Sequence, residues 1–201
     1  VKKTLIVYAH PYAGSFNHAV LTAVRQTLER EKVTYDVIDL YQEQFNPIYT
    51  THELKLFHTG QTDDPQVTAY LAKLRQANQI IFITPVWWND LPAMLKGFID
   101  KVMKEGPGLS HVVTKTGVKG LLTNLEQAYV LTTSTSPTFY LKLFGGNAIK
   151  RIFIRQTLHQ LGVKHGHWVN FGGITSSSLK RRQRYLAKVE QIFCGHGTDV
   201  R

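Results

Sequence analysis

Thr4-Leu5-Ile6-Val7-Tyr8-Ala9 runs into His10-Pro11-Tyr12-Ala13-Gly14-Ser15 and then into Phe16-Asn17-His18-Ala19-Val20-Leu21. The first six residues form a continuous, β-branched apolar run, the pattern of a parallel strand buried on both faces. A loop rich in small residues follows. Val20, Leu21, Val24 and Leu28 then mark the apolar stripe of a helix that starts at about Asn17. Strand, loop and helix in that order open a βα unit, and the same alternation recurs along the chain.

Thr34 to Leu40 reads as a second strand, and Asp63-Asp64-Pro65 as a helix start, an acidic cap followed by proline. Ile80-Ile81-Phe82-Ile83-Thr84 is the clearest central strand. Leu91, Leu95, Phe98, Ile99 and Val102 make the next helical face. Ala128 to Thr133 is a fourth strand, with a shorter one expected around Gly120 to Leu125. Ile149, Ile152, Phe153, Leu158 and Leu161 belong to a long helix, and Val163 to Phe171 to a fifth strand. Leu186, Val189, Ile192 and Phe193 face inward from a last helix. Alternating strands and helices imply an α/β fold, a parallel sheet covered on both faces. Tyr41 to Gln61 and Glu105 to Lys119 are weakly patterned and long for loops, which points to function or to dimer contacts.

Composition sets the outer bounds. The 201 residues, 43% hydrophobic and 19% charged, suit one globular domain over residues 1–201. Lys and Arg number 24 against 14 Asp and Glu, a net charge of +10 that favours anionic partners without choosing among them. Cys194 is the only cysteine, so no internal disulfide forms within a chain, and a reduced, cytoplasmic protein is expected. No apolar run approaches the roughly 18 residues of a membrane span. Val1-Lys2-Lys3-Thr4-Leu5 enters the strand pattern at once, leaving no room for a signal peptide.

In open α/β sheets, ligands bind beyond the carboxyl ends of the strands, where strand order reverses. Three strand ends carry unusual residues. After the first, a helix start with Ser15 and Asn17, and with His10 nearby, suits a phosphate as well as an ordinary capped turn. That loop has neither the glycine fingerprint of a dinucleotide fold nor a P-loop, which argues against both. No G-x-S-x-G elbow surrounds Ser15, so it is not read as a nucleophile. After the central strand comes Pro85-Val86-Trp87-Trp88-Asn89, two adjacent indoles suited to a planar ligand, a partner subunit or both. After the fourth, Thr132-Thr133-Ser134-Thr135-Ser136 offers hydroxyls to the polar side of a heterocycle.

These segments, in this order and spacing, resemble the NAD(P)H:quinone oxidoreductase family, which includes ancillary subunits of some potassium-efflux systems. The matching text covers nearly the whole chain. It includes Ala9-His10-Pro11, Ser15 to Ala19, Asp39-Leu40-Tyr41 leading to Phe45-Asn46-Pro47, Pro85 to Trp88, Leu91 to Val102, and Thr132-Thr133 with Tyr140. The resemblance implies a flavodoxin-like, doubly wound sandwich with a five-stranded parallel sheet. It implies hydride transfer from NAD(P)H to quinones or related electrophiles by a ping-pong route. The alternative is a non-catalytic flavin module regulating a membrane transporter. FMN is the expected cofactor, with FAD the alternative, because no adenosine-binding motif is recognisable. His10, Ser15, Phe16 and Asn17 would hold the flavin phosphate region, and Pro85, Val86, Trp87, Trp88 and Asn89 one side of the ring. Thr132, Thr133 and Ser134 would meet the pyrimidine edge, with Tyr140 near the site of hydride transfer. A homodimer with interfacial active sites follows, with possible transporter association, but neither a nucleic-acid partner nor stable membrane insertion.

Two departures stand out. The family's Thr-Thr-Gly-Gly reads Thr132-Thr133-Ser134-Thr135, which adds side chains where backbone would approach the ring. Where the best-known members place a histidine after the tyrosine, this chain reads Phe144-Gly145-Gly146-Asn147. No metal site is expected. His165 with His167, and Cys194 with His196, offer no full ligand set. Lys180-Arg181-Arg182 with Arg184 reads as a solvated face that could also attract NADPH phosphates or anionic lipid.

Overall fold

A computed structural model describes residues 3–194. His196, and the Val1-Lys2 start of the chain, lie outside the described residues. The main sheet uses β1 (Lys3–Tyr8), β2 (Thr34–Asp39), β3 (Gln79–Pro85), β6 (Gln127–Ser134) and β7 (His165–Gly172), with a hairpin of β4 (His111–Thr114) and β5 (Gly117–Gly120) set apart. The helices are α1 (Phe16–Arg30), α2 (Thr51–Leu56), α3 (Pro65–Gln76), α4 (Ala93–Val102), α5 (Thr138–Leu143) and α6 (Leu179–Phe193). Ile149–Leu158 is wound as a π-helix.

The sheet runs β2-β1-β3-β6-β7, and every pairing in it is parallel. Each central strand splits its apolar run between two layers, because successive side chains point to opposite faces. Leu5, Val7, Ile80, Phe82 and Val130 pack with Leu74 of α3, Phe98 of α4 and Phe153 of the π-helix. Ile6, Tyr8, Ile81, Ile83 and Leu131 pack with Val24 and Leu28 of α1 and Val189 and Phe193 of α6. The five-stranded, doubly wound sheet read from the sequence is therefore present, with β3 at its centre. Asp64 caps α3 as expected, accepting from the Gln66 amide with Pro65 in the first turn.

Three expectations need correction. The short strand placed around Gly120 to Leu125 ends at Gly120, and it pairs antiparallel with His111–Thr114 outside the main sheet. Leu122 and Leu125 are buried without being in a strand, which explains the misleading apolar signal. Gly120 lies so close to the Leu161–Gly162 backbone that any Cβ would sit about 2.2 Å from it. The long helix expected to include Leu161 ends before it; it is a π-helix whose buried residues are Ile149, Phe153, Ile154 and Leu158, while Ile152 turns outward and is 57% exposed. Bonding from i to i+5 shifts the buried face away from the α-helical spacing that would include Ile152. Finally, Arg181 and Arg182 are not simply solvated. Arg181 donates to the Gly172 carbonyl at 3.0 Å and Arg182 to the Ile174 carbonyl at 3.2 Å, pinning the β7–α6 turn.

Candidate functional site

Strand order reverses between β1 and β3: the chain passes from β1 to β2 on one side and returns to β3 on the other. The loops leaving these two strands therefore diverge and open a crevice at the carboxyl edge. Ser15 caps α1, its hydroxyl accepting from the His18 amide at 3.1 Å. Phe16 and Asn17, the first helical residues, have no i−4 carbonyl within the helix for their N–H groups. Asn17 is buried, at 2% exposure, and its Nδ2 donates to Thr133 Oγ1 at 2.7 Å. Its Oδ1 has no partner. Turned the other way, the amide would instead leave Nδ2 unpaired. The His10 Nδ1 accepts from the Tyr12 amide at 3.1 Å, and burial pushes its imidazole pKa down. The neutral ring thus carries its proton on Nε2, a donor. The Phe16 side chain packs on Phe171 and Tyr185, so this residue can serve a ligand only through its backbone.

The second loop is a tight turn. Trp87 and Asp90 exchange both backbone hydrogen bonds at 3.0 Å, and Trp88 and Asn89 between them have φ of 51° and 65°. Asparagine tolerates that conformation; tryptophan does not, and such a residue costs on the order of 1–3 kcal/mol. Trp88 is 99% exposed, so no packing within the chain offsets the strain. The Val86 amide donates to the Thr133 carbonyl at 2.8 Å, tying this turn to β6.

Along β6, Thr133 faces α1 and Asn17, while Thr132 and Ser134 face the other way. Thr132 Oγ1 donates to Asn170 Oδ1 and accepts from Trp168 Nε1, both at 2.8 Å. Ser134 Oγ donates to the Ser136 carbonyl at 2.7 Å and accepts from Asn170 Nδ2 at 2.9 Å. The expectation that all three hydroxyls face one ligand edge is thus revised: two of them are turned back onto β7. A cavity of about 420 Å³ is lined by Pro85, Val86, Trp87, Trp88, Thr133, Ser134, Thr135 and Ile174. Seven of these come from the second and third strand ends, and the first loop reaches them through the Asn17–Thr133 bond. His10, Ser15, Phe16, Asn17, Asn89, Thr132 and Tyr140 lie outside that lining. Tyr140 is 43% exposed on α5, and its ring lies tilted against Phe144 at 6.0 Å between centroids.

A second cavity, of about 400 Å³, lies among Tyr49, Phe57, Ile99, Met103, His111 and Leu161. Several of its polar groups are engaged. The Tyr49 hydroxyl donates to the Asp100 carbonyl at 2.7 Å, Asp100 pairs with Lys96, and His111 Nδ1 meets Ser110 Oγ at 2.9 Å. No strand-end residue singled out in the sequence lines it, so the carboxyl-edge crevice is the candidate.

Residues 2–193 match a family described by its flavodoxin-like fold. The chain belongs to that family. Within the flavodoxin-like family, human ribosyldihydronicotinamide dehydrogenase (quinone) is 31% identical over 192 residues, covering 81% of this chain and 78% of that protein. The crystal structure of Smu.1420 from Streptococcus mutans aligns with a TM-score of 0.81 at 31% identity, covering 95% of this chain and 98% of the other. An FMN-dependent NADH-azoreductase from Bacillus anthracis, in complex with FMN, aligns at 0.78 over 96% and 98% of the chains. At 20% identity this last likeness speaks for the fold alone.

Sequence reasoning missed Asn170, Trp168 and Ile174. A signal existed for the first: Asn170 interrupts the apolar end of β7, between Val169 and Phe171. His167 lies at the surface, where it stacks on Tyr129 at 4.9 Å and meets Gln127 Oε1 at 3.0 Å.

Proposed function

We propose that this chain is an FMN-dependent oxidoreductase that passes hydride from NAD(P)H to quinones or related electrophiles. The observation that carries the reading is Asn17, a nearly fully buried carboxamide with an unpaired polar atom, at a helix start bonded to Thr133 of the cavity wall. Buried polar atoms are rarely left without a partner, and a ligand at this crevice would supply one. The donors fit an anionic, hydroxylated tail: the Ser15 hydroxyl, His10 Nε2–H and the amides of Phe16 and Asn17. Pro85 to Trp88 and the backbone of Thr133 and Ser134 fit a planar ring. Bound FMN supplies the hydride chemistry.

The chain's own residues bind, exclude water and handle protons. One cavity must admit NAD(P)H and the acceptor in turn, which makes the exchange ping-pong and the acceptor range broad. Each turnover moves one hydride and one proton to a quinone. Tyr140 is the residue proposed to pass that proton to a quinone oxygen, and its partial exposure lets solvent restore it. Without the family's histidine the benefit falls below the usual ~10²–10⁴-fold for one acid–base group. Tyr140→Phe is therefore expected to slow the quinone half-reaction by about tenfold while leaving the NAD(P)H half-reaction within about twofold. Stopped-flow absorbance with each substrate alone reads the two; wild-type rates in both would make Tyr140 a packing residue. A transporter-regulating flavin module would instead bind FMN without rapid NAD(P)H oxidation in the presence of a quinone.

Exposed apolar side chains surround this crevice: Trp88, and on α5 and just after it Phe139, Leu143 and Phe144, the last three between 62% and 73% exposed. Asn89 abuts Gly145, so the two groups adjoin. Such a patch suits a second copy of the chain. Sedimentation at micromolar concentration is expected to give twice the chain mass; a fully active monomer would contradict a two-fold dimer.

A further inference from the structure

Asn170 sits on β7 opposite Thr132, and its one carboxamide meets three hydroxyls. Its Oδ1 accepts from Thr132, and its Nδ2 donates to Ser134 and to Thr138 Oγ1, both at 2.9 Å. Thr138 returns a bond to the Asn170 carbonyl at 3.2 Å. These contacts fix the end of β6, the turn after it and the start of α5. Two backbone bonds depend on that shape: the Ile174 amide to the Ser134 carbonyl at 3.0 Å, and Gly173 to Ser136 at 3.2 Å.

Ser134 lines the carboxyl-edge cavity yet is only 5% exposed. A staggered serine side chain has three wells. In the well observed, its hydroxyl points back to Asn170 and the Ser136 carbonyl, and the cavity wall at this position is left to backbone and Cβ. Released from Asn170, the hydroxyl keeps one bond, to the Ser136 carbonyl, and with that single tether it swings more readily into the space a planar ligand needs. We propose that Asn170 is a positioning residue that keeps the Ser134 hydroxyl out of the ligand cavity. The chain thereby accommodates a side chain at a point where the family resemblance implies close backbone approach. This rests on the reading of the cavity as a flavin site.

The test is FMN titration, followed by flavin fluorescence, of wild type, Asn170→Ala, Ser134→Gly and the double variant. Asn170→Ala is expected to weaken FMN binding about tenfold, the scale of one misplaced buried hydrogen-bonding group. In the Ser134→Gly background, where no hydroxyl needs holding, the same change is expected to matter by less than about twofold. A purely stabilising Asn170 gives the opposite result, an undiminished loss on top of the added glycine. That outcome, or wild-type affinity in Asn170→Ala, overturns the proposal. Should Asn170→Ala fold poorly, Asn170→Asp keeps the acceptor for Thr132 and loses both donations, and the same pattern is expected from it. Hydrogen exchange of flavin-free protein separates this inference from the function it rests on. The Gly173 and Ile174 amides are expected to exchange faster in Asn170→Ala, and unchanged rates overturn the positioning role. Wild type that fails to bind FMN instead refutes the flavin site.

Discussion

Replacing Ser15 and Asn17 together by alanine is expected to weaken FMN binding by about 3–6 kcal/mol, two hydrogen bonds to a charged group at about 1.5–3 kcal/mol each, with the Asn17 carboxamide turned so that Oδ1 accepts from Thr133 and Nδ2 donates to the phosphate. The change is not neutral for the fold. Ser15 caps α1, and Asn17 bonds Thr133 across the site. About 2 kcal/mol of stability goes with them, one cap and one hydrogen bond at roughly 1 kcal/mol each. Titration below the unfolding temperature of the variant separates the two effects, and riboflavin sharpens it. Riboflavin lacks the phosphate, so its affinity should fall much less than that of FMN. Equal losses for both would remove the phosphate from this helix start, and unchanged FMN affinity would remove the flavin.

The second large effect concerns stability. Beyond α4, Lys104 is 1% exposed and pairs with buried Glu53 on α2 at 3.1 Å. Lys101, also buried, pairs with Asp64 at 3.0 Å and donates to the Asn46 carbonyl at 2.6 Å. These two lysines clamp the Tyr41–Gln61 stretch onto the helix that follows the Trp87–Trp88 turn. Lys104→Ala is expected to cost about 3–5 kcal/mol, since it strands a buried carboxylate. Replacing both partners, Lys104→Met with Glu53→Gln, should recover most of that. Burial alone would raise the Glu53 pKa, but bonds from the Asp63 amide, Lys104 and Thr62 outweigh it and hold the carboxyl below its usual range. An unfolded glutamate titrates near ~4.3. The stabilisation from Glu53 is therefore complete above that pH and is lost as pH falls through the lower, folded value. The gap between wild type and Lys104→Ala should narrow over the same acidic window. Denaturant titrations across pH check this, and a single variant within about 1 kcal/mol of wild type at neutral pH would mean the pair behaves like an exposed one.

The sheet is legible in the sequence because parallel strands buried on both faces leave continuous apolar runs, and Leu5 to Tyr8 and Ile80 to Ile83 do so. Loops at strand ends are legible as candidates because topology, not propensity, puts ligands there. What the sequence hides is side-chain direction and long-range pairing. Thr132, Thr133 and Ser134 look alike in a row, yet the pleat sends the middle one to Asn17 and the others to Asn170, partners 116 and 36 to 38 residues away. The Tyr41–Gln61 stretch looks like loop because its short helix is held by a buried ion pair, Glu53 with Lys104, which leaves no periodic apolar stripe. One local clue is available there: Thr50 and Glu53 have the spacing of a capping box, and Thr50 does accept from the Glu53 amide at 3.1 Å.

The most direct test of flavin-dependent hydride transfer uses the purified protein and three additions. FMN is titrated in, NADH or NADPH is added without oxygen, and a quinone follows. Tight, saturable FMN binding is expected, then bleaching of the visible flavin band by at least one nicotinamide within seconds, then its recovery on adding the quinone. Failure to bind FMN or FAD, or a bound flavin whose spectrum neither nicotinamide changes, would contradict the proposed function.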